Sequence, residues 1–556
     1  MKAKHKSQLA GQSKTMASAP RIWPTALALA SGLALRLWML HAIPQVSGDT
    51  LLYGGLAKNL LLHGQYAITD GSGVLHTTLL RLPGYPLFLA LCFQLFGMEN
   101  YNAVAYVQIA LELLGCLLLA DFVRLIAPPN LRNGAALSTL WLSALCPFTA
   151  SYAVAPLTEA PTLFAISLAL WAVARFHAGQ GKSLWPSALW FTFAITFAAL
   201  LRPDGALVGI ALVPAMLAGL RLAAPRNSDA SEPSKSIAPQ TPKASQAGSA
   251  RSATVQKSTQ SSQAAKKLAA KANRKNPASR RDLSSADIPQ SQHRPSAPEL
   301  IRMAIACLLL ALLPFGIWAV RNWSVFHVFE PLAPRYATDP GESTNPGWQR
   351  WTKTWCLDFV STYYIYWNVP GSPLDLAKLP SRAFDTPEQY TETAALAAAY
   401  ADNGQDLSPE LDERFAQLAD ERIKADPMRF YLWLPLGRMG DMWLRPRVEN
   451  LDIDLDWWVY SHHNSETRFS WEYAGLNAAY LLLALAGLFF RPRYWPWMVF
   501  YFVLRSALLM TIEAPEARYT LECFPMLFAL GGIGFFGLLR KLRRVGRASG
   551  GALAHR

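Results

Sequence analysis

Stretches of about 20 apolar residues recur along this chain, and a helix rising about 1.5 Å per residue needs that many to cross a hydrocarbon core about 30 Å thick. These runs constrain the fold more than any other feature, because a backbone in lipid must satisfy its own hydrogen bonds, either within helices or within a closed barrel. Composition agrees: 52% of the 556 residues are hydrophobic and only 16% are charged, against roughly 25% in an ordinary soluble domain. Nineteen Trp and nineteen Tyr suit aromatic belts at two membrane interfaces. The sequence predicts an all-α integral membrane protein.

Apolar runs place spans near residues 22–42, 101–124, 134–153, 157–176, 185–201 and 204–221, then near 301–320, 473–490, 494–512 and 518–540, about ten in all. Gly84 to Gly97, at 14 residues, is too short to span untilted, and Pro83, Gly84 and Pro86 crowd its start. An amphipathic helix at 84–97 lying in the interface fits better. With that choice and the N-terminus inside, Arg124 and Arg132, Arg175 and Lys182, Arg221 and Arg226, Arg491 and Arg493, and Arg540 to Arg547 all fall on the cytoplasmic side. The basic stretch Lys2 to Arg21 precedes an apolar segment without a small-residue cleavage site, which predicts a retained first span.

These assignments divide the chain into a cytoplasmic N-terminus (1–21), a first membrane module (22–222) of six spans with an outer loop at 43–100, and a linker (223–298). Span seven (299–320), an outer region (321–472), the last three spans (473–540) and a cytoplasmic tail (541–556) complete it. The linker is rich in Ser, Ala, Gln and Pro and carries 13 Lys/Arg against 4 Asp/Glu, most of the chain's net +14. Such a composition cannot build a core and predicts a disordered tether lying against anionic headgroups. Nothing aromatic interleaves its basic residues, so no nucleic-acid partner is expected. In the outer region, Thr386-Pro387-Glu388-Gln389 and Ser408-Pro409 start short soluble helices, and Phe430 to Arg445 forms a second interfacial helix returning to the membrane. Five of the six cysteines lie in apolar segments and only Cys356 in a polar one, which leaves no disulfide framework and no CxxC metal pair.

Polar residues then sort by side. Asp49 and Tyr53 follow span one, and Arg81 and Tyr85 open the interfacial helix. Glu159 starts span four, Arg202 and Asp204 turn between spans five and six, and Arg321 ends span seven. Glu513, Glu516, Arg518 and Tyr519 precede span ten. All fall on the outer side, where ionisable groups at a membrane tend to be functional. Arg36, inside span one, is expected to snorkel. Arginines bind phosphate bidentately and a carboxylate can deprotonate a hydroxyl, so a cleft of this kind suits a lipid phosphate held at the bilayer surface.

The ordered set of segments resembles the GT-C superfamily of polyprenyl-phosphate-sugar glycosyltransferases, family 39 type, which includes protein O-mannosyltransferases and lipid A aminoarabinose transferases. The resemblance runs through Asp49 with Tyr53, Ala57 to Tyr66 (AKNLLLHGQY), Arg81 to Gly97 (RLPGYPLFLALCFQLFG) and Leu157-Thr158-Glu159. It continues in Leu201-Arg202-Pro203-Asp204, Val320-Arg321-Asn322-Trp323 and Glu516-Ala517-Arg518-Tyr519 with Pro525. Where many members have Asp-Glu, this chain has Asp49-Thr50, and Leu82 replaces the first proline of the Arg-Pro-Pro pattern.

The resemblance implies a fold with periplasmic juxtamembrane helices and a small periplasmic α-rich domain. It also implies an inverting transfer of a sugar from a polyprenyl-phosphate carrier to an acceptor hydroxyl of a protein, lipid or polysaccharide. Asp49 would be the general base, Arg81, Arg321, Arg202 and Arg518 the donor-phosphate ligands, and Glu159, Tyr53, Tyr85, Glu516 and Tyr519 the substrate contacts. For Glu159 the alternative is a carboxylate favoured by a helix N-terminus, and for Tyr85 and Tyr519 it is an interface anchor. With one carboxylate at position 49, no metal and no cofactor are expected. The donor is expected to be an undecaprenyl-phosphate sugar, used by a bacterial inner-membrane protein whose site faces the periplasm. A transporter or flippase for a lipid-linked or anionic substrate is the competing class, and it would bury polar groups nearer mid-membrane.

Overall fold

A computed structural model describes residues 22–43, 46, 48–179, 183–222, 296–456, 458 and 464–553. The N-terminal segment and most of the linker lie outside the described residues. The chain is α-helical: α1 (Ile22–Ala42), α2 (Gly48–His63), α3 (Gly84–Phe96), α4 (Tyr101–Ile126), α5 (Arg132–Ala144), α6 (Pro147–Val154), α7 (Glu159–Ala178), α8 (Trp185–Leu201), α9 (Ala206–Leu222) and α10 (Ala297–Phe326). The outer region supplies α11 (Pro346–Lys353), α12 (Phe359–Tyr364), α13 (Pro387–Asp402), α14 (Pro409–Ala425) and α15 (Leu434–Leu444), before α16 (Asn464–Leu488), α17 (Trp495–Leu509) and α18 (Phe524–Leu553). A hairpin of two three-residue strands, Ala67–Thr69 and Leu75–Thr77, is the sheet content among the described residues, with Ala67 opposite Thr77.

Among the described residues, four helical segments are long and apolar enough to cross a membrane, Ile22–Ala42, Glu159–Ala178, Ala297–Phe326 and Ala517–Val545, which makes this a multi-pass membrane protein. Other expected spans are shorter apolar helices, among them Trp185–Leu201 and Trp495–Leu509. The span expected at 134–153 is instead a bent pair, α5 and α6, meeting at 52°. Pro147 is the cause: it has no N–H to donate and forces Cys146 before it into extended backbone (φ −69°, ψ 113°).

The bend overturns the expectation for Arg36. Its side chain is fully buried, not snorkelling, and its Nη1 donates to the Ala144 carbonyl at 2.6 Å, beside the break, and to Gly32 at 2.8 Å. Its Nε pairs with the buried Glu112 carboxylate of α4. A charge drawn into the bundle at this depth needs such a partner, because either ion alone would be stranded in a low dielectric.

Around these helices the main core joins α4, α7, α8, α9, α16, α17 and α18. Helix α18 approaches α16 backbone to backbone: a Cβ on Gly534 would lie 2.2 Å from the Leu483 carbonyl oxygen, so only glycine fits. Helices α11 to α14 have their own aromatic core of Trp348, Trp351, Trp355 and Phe415 with buried Cys356. As the sequence predicts, Thr386 and Ser408 cap α13 and α14, their side chains accepting from the Gln389 and Leu411 N–H groups. The expected return helix at 430–445 begins as a π-helical turn, Arg429–Trp433, before α15.

Candidate active site

Asp49 stands in the first turn of α2, where a carboxylate is favoured by the unpaired N–H groups of the helix start. Arg81 lies in the turn between the hairpin and α3. That turn is fixed by Tyr66, whose hydroxyl donates to the carbonyls of Arg81 (3.0 Å) and Leu82 (3.3 Å). A Cβ on Gly84 would sit 2.5 Å from the Leu200 carbonyl, so α3 begins in direct contact with the end of α8, which carries Arg202 as its C-cap. Glu159 opens α7 and Arg518 rides on a 3-10 turn, Ala517–Cys523, ahead of α18.

These segments converge on one cavity of about 390 Å³, lined by Asp49, Tyr53, Arg81, Glu159, Arg202, Asp204, Arg518 and Tyr519, together with Leu80, Pro334 and Arg335. Asp49 is held between two guanidiniums, Arg518 Nη2 at 3.1 Å from Oδ2 and Arg81 Nη2 at 3.4 Å from Oδ1. Arg202 meets Glu159 at 3.2 Å, Asp204 at 3.3 Å and Glu522 at 3.2 Å. Arg518 also pairs with Glu516 and lies 3.8 Å from Glu159. The Tyr519 ring sits under Arg202 (5.3 Å) and Arg518 (5.9 Å), and Tyr53 under Arg81 (5.9 Å).

Burial pushes the Asp49 carboxyl up, but Arg518 and then Arg81 outweigh it and hold the group below the ordinary carboxylate range. Glu516 goes the other way: burial raises it, against the pull of Arg518. Asp49 is therefore a carboxylate at neutral pH, free to accept a proton but weakened as a base while both arginines face it.

Three of the sequence-predicted residues are not brought to the cavity wall. Arg321 spends its guanidinium on the carbonyls of Thr78 (2.8 Å) and Tyr66 (3.0 Å), stacked among Tyr66, Trp318 and Phe326. It thereby braces the turn that carries Arg81. Tyr85 lies fully buried one layer behind, edge-on to Tyr53 at 5.0 Å, its hydroxyl donating to Gln108 at 2.8 Å. Glu516 backs Arg518. Sequence reasoning passed over Glu522 and Arg505, whose signal was a lone charge inside an apolar run, and Arg335 on the loop after α10. Among the described residues no group of three or more His, Cys, Asp or Glu side chains is disposed to hold a metal ion.

No known family profile and no curated protein matches this sequence. Among solved structures, the chain is similar to ArnT from Cupriavidus metallidurans bound to undecaprenyl phosphate, with a TM-score of 0.35 and 14% identity over 94% of this chain and 79% of that one. It is similar also to the apo state of the same protein, with a TM-score of 0.33 and 12% identity over 93% and 78% of the two chains. A likeness this remote says nothing about activity, which has to be argued from the cavity itself.

Proposed function

We propose that this chain is a membrane glycosyltransferase that moves a sugar from a polyprenyl-phosphate carrier, of which undecaprenyl phosphate is the expected form, to an acceptor hydroxyl. The observation that carries the reading is the convergence of four arginines (Arg81, Arg202, Arg335, Arg518) and three carboxylates (Asp49, Glu159, Asp204), from segments as far apart as residues 49 and 518, onto one cavity. At about 390 Å³ it falls within the range of roughly 300–1,000 Å³ usual for small-molecule sites. Arg81, Arg202 and Arg518 supply fixed positive charge where phosphate charge develops on departure.

Asp49 would take the acceptor's proton as its oxygen attacks the anomeric carbon from the face opposite the phosphate, inverting the centre. An arriving phosphate competes with Asp49 for Arg81 and Arg518. Drawing those arginines away restores basicity to the carboxylate, so donor binding itself readies the base. The carrier's tail has an apolar route: Phe315, Ala319, Trp323 and Phe329 line an open groove on α10, and the chain beyond Phe329 continues to Pro334 at the cavity. With Thr50, not a second carboxylate, next to Asp49 in the chain, the proposed transfer is metal-independent. By the positive-inside pattern the site faces the periplasm.

The test is incubation of purified protein with a panel of radiolabelled polyprenyl-phosphate sugars and a cell-envelope extract as the source of acceptor hydroxyls, with and without a divalent-metal chelator. One donor is expected to be consumed, releasing polyprenyl phosphate at the same rate in both arms. A folded protein that consumes none, yet moves a lipid-linked substrate across reconstituted vesicles, overturns the reading in favour of a transporter.

A further inference from the structure

Arg505 has no part in the transfer just described, yet it is among the most costly side chains to place where it is. It lies in α17 with its side chain 0% exposed, inside an apolar helix where a charge is retained only when something uses it. Its Nη1 is 2.7 Å from Asp204 Oδ2 and 2.8 Å from Glu522 Oε2. Its Nε and Nη2 donate together to the Tyr519 carbonyl, at 3.1 and 2.8 Å. Asp204 and Glu522 each turn the other oxygen, Oδ1 and Oε1, toward Nε of Arg202, at 3.3 and 3.2 Å.

One buried guanidinium thus grips two of the three carboxylates that meet Arg202 and the backbone of the residue that follows Arg518. We infer that Arg505 is a positioning residue for the cavity: through Asp204 and Glu522 it fixes the orientation of Arg202, and through the Tyr519 carbonyl it fixes the turn that carries Arg518. The inference rests on the proposed function in taking those two arginines as phosphate ligands.

The alternative is that Arg505 merely balances two acids. The geometry argues against it, because charge balance needs no fork, whereas here one planar group meets a carbonyl with one edge and two carboxylates with the other nitrogen, which a lysine ammonium cannot reproduce. An error of about 1 Å in placing a reacting partner costs on the order of 10²-fold in rate. A brace of this kind is how such an error is avoided.

Arg505→Lys keeps the charge and removes the fork, and Glu522→Gln keeps the shape and removes one of the two carboxylates that link Arg505 to Arg202. Full-length protein in nanodiscs is read two ways: phenylglyoxal modification of Arg202 and Arg518 mapped by mass spectrometry, and donor KM against kcat. In the wild type, Arg202 is shielded by its three carboxylates and reacts slowly. Arg505→Lys is expected to speed modification of Arg202 about tenfold and to raise donor KM by roughly tenfold or more, with a smaller change in kcat. Where Arg505→Lys does not fold, Glu522→Gln carries the same expectation for Arg202. Wild-type modification rates and wild-type KM in a folded variant overturn the inference. A wild type that consumes no donor, with Arg202 nonetheless unshielded in the variants, leaves the positioning role standing and removes the functional reading.

Discussion

Two sets of buried charge in this molecule look alike in sequence and differ in structure. Arg36 and Glu112 form a closed pair: the guanidinium meets one carboxylate and two carbonyls, and both side chains are 5% exposed or less. At the other set, four arginines (Arg81, Arg202, Arg505, Arg518) face five carboxylates (Asp49, Glu159, Asp204, Glu516, Glu522), and three of those arginines also line an open cavity. The closed pair repairs a helix break, and the open set surrounds space for a ligand. A charge within a membrane bundle therefore points to a binding site only where some of its hydrogen-bonding surface is left facing a void.

The largest expected effect on this contrast is at Asp49. Asp49→Asn keeps the shape and removes the base, so transfer should fall by about 10² to 10⁴ while the melting temperature stays near wild type and the donor, no longer competing with a carboxylate for Arg81 and Arg518, binds at least as tightly. The pH profile sharpens the point. Because its folded pKa is lowered in the free protein, the base form persists as pH falls below the ordinary aspartate value of about 3.9, and the acid limb of kcat/KM, which reports the free enzyme, should lie below that value. Replacing Arg518 by Gln should move the limb upward. A limb that does not move, or an active Asp49→Asn, would pass the role of base to another carboxylate.

Next comes the closed pair, where the loss should be one of stability. Arg36→Met strands Glu112 and should cost about 3–5 kcal/mol, whereas the double change Arg36→Met with Glu112→Leu should recover most of it. Thermal unfolding in detergent measures both. If the double variant is stable but no longer consumes donor, the closed pair is functional and the contrast fails.

The smallest effect separates Arg81 from Arg321. Loss of a charged contact to phosphate is worth about tenfold in donor KM, and Arg81→Ala should show it. Arg321→Ala should raise KM less and lower stability instead, by about 1–3 kcal/mol, since it unpairs the Tyr66 and Thr78 carbonyls. Equal KM effects would return Arg321 to the cavity.

Much of the fold was legible in the sequence, because lipid leaves few choices: apolar length dictates helices. The cavity wall was largely legible too, since Asp49, Arg81, Glu159, Arg202 and Arg518 each interrupt the pattern at a span end. The hairpin at 67–77 was not, as strands of three residues carry too little alternation. Its turn was announced only by Asp70-Gly71-Ser72-Gly73, where the Asp70 carboxylate accepts from the Ser72 and Val74 N–H groups. Arg505 and Glu522 escaped because a single charge does not abolish an apolar run. Nothing in one dimension tells that Asp204 faces Arg505 with one oxygen and Arg202 with the other. Arg36 was misjudged for a related reason: whether an arginine reaches for water or for a freed carbonyl depends on where Pro147 breaks a neighbouring helix.

The ion pair between Asp49 and Arg518 joins residues 469 positions apart, and that separation is also an interval in time. At roughly 5–20 residues per second of synthesis, Arg518 leaves the ribosome roughly 20 to 90 seconds after Asp49. Throughout that interval the carboxylate stands at the membrane surface without one of its two cations, beside an Arg81 that already has its hairpin. The site is closed by the last of its segments to arrive, so a ribosome that stops short of Ala517 leaves behind a chain whose acid has Arg81 alone and half of its clamp.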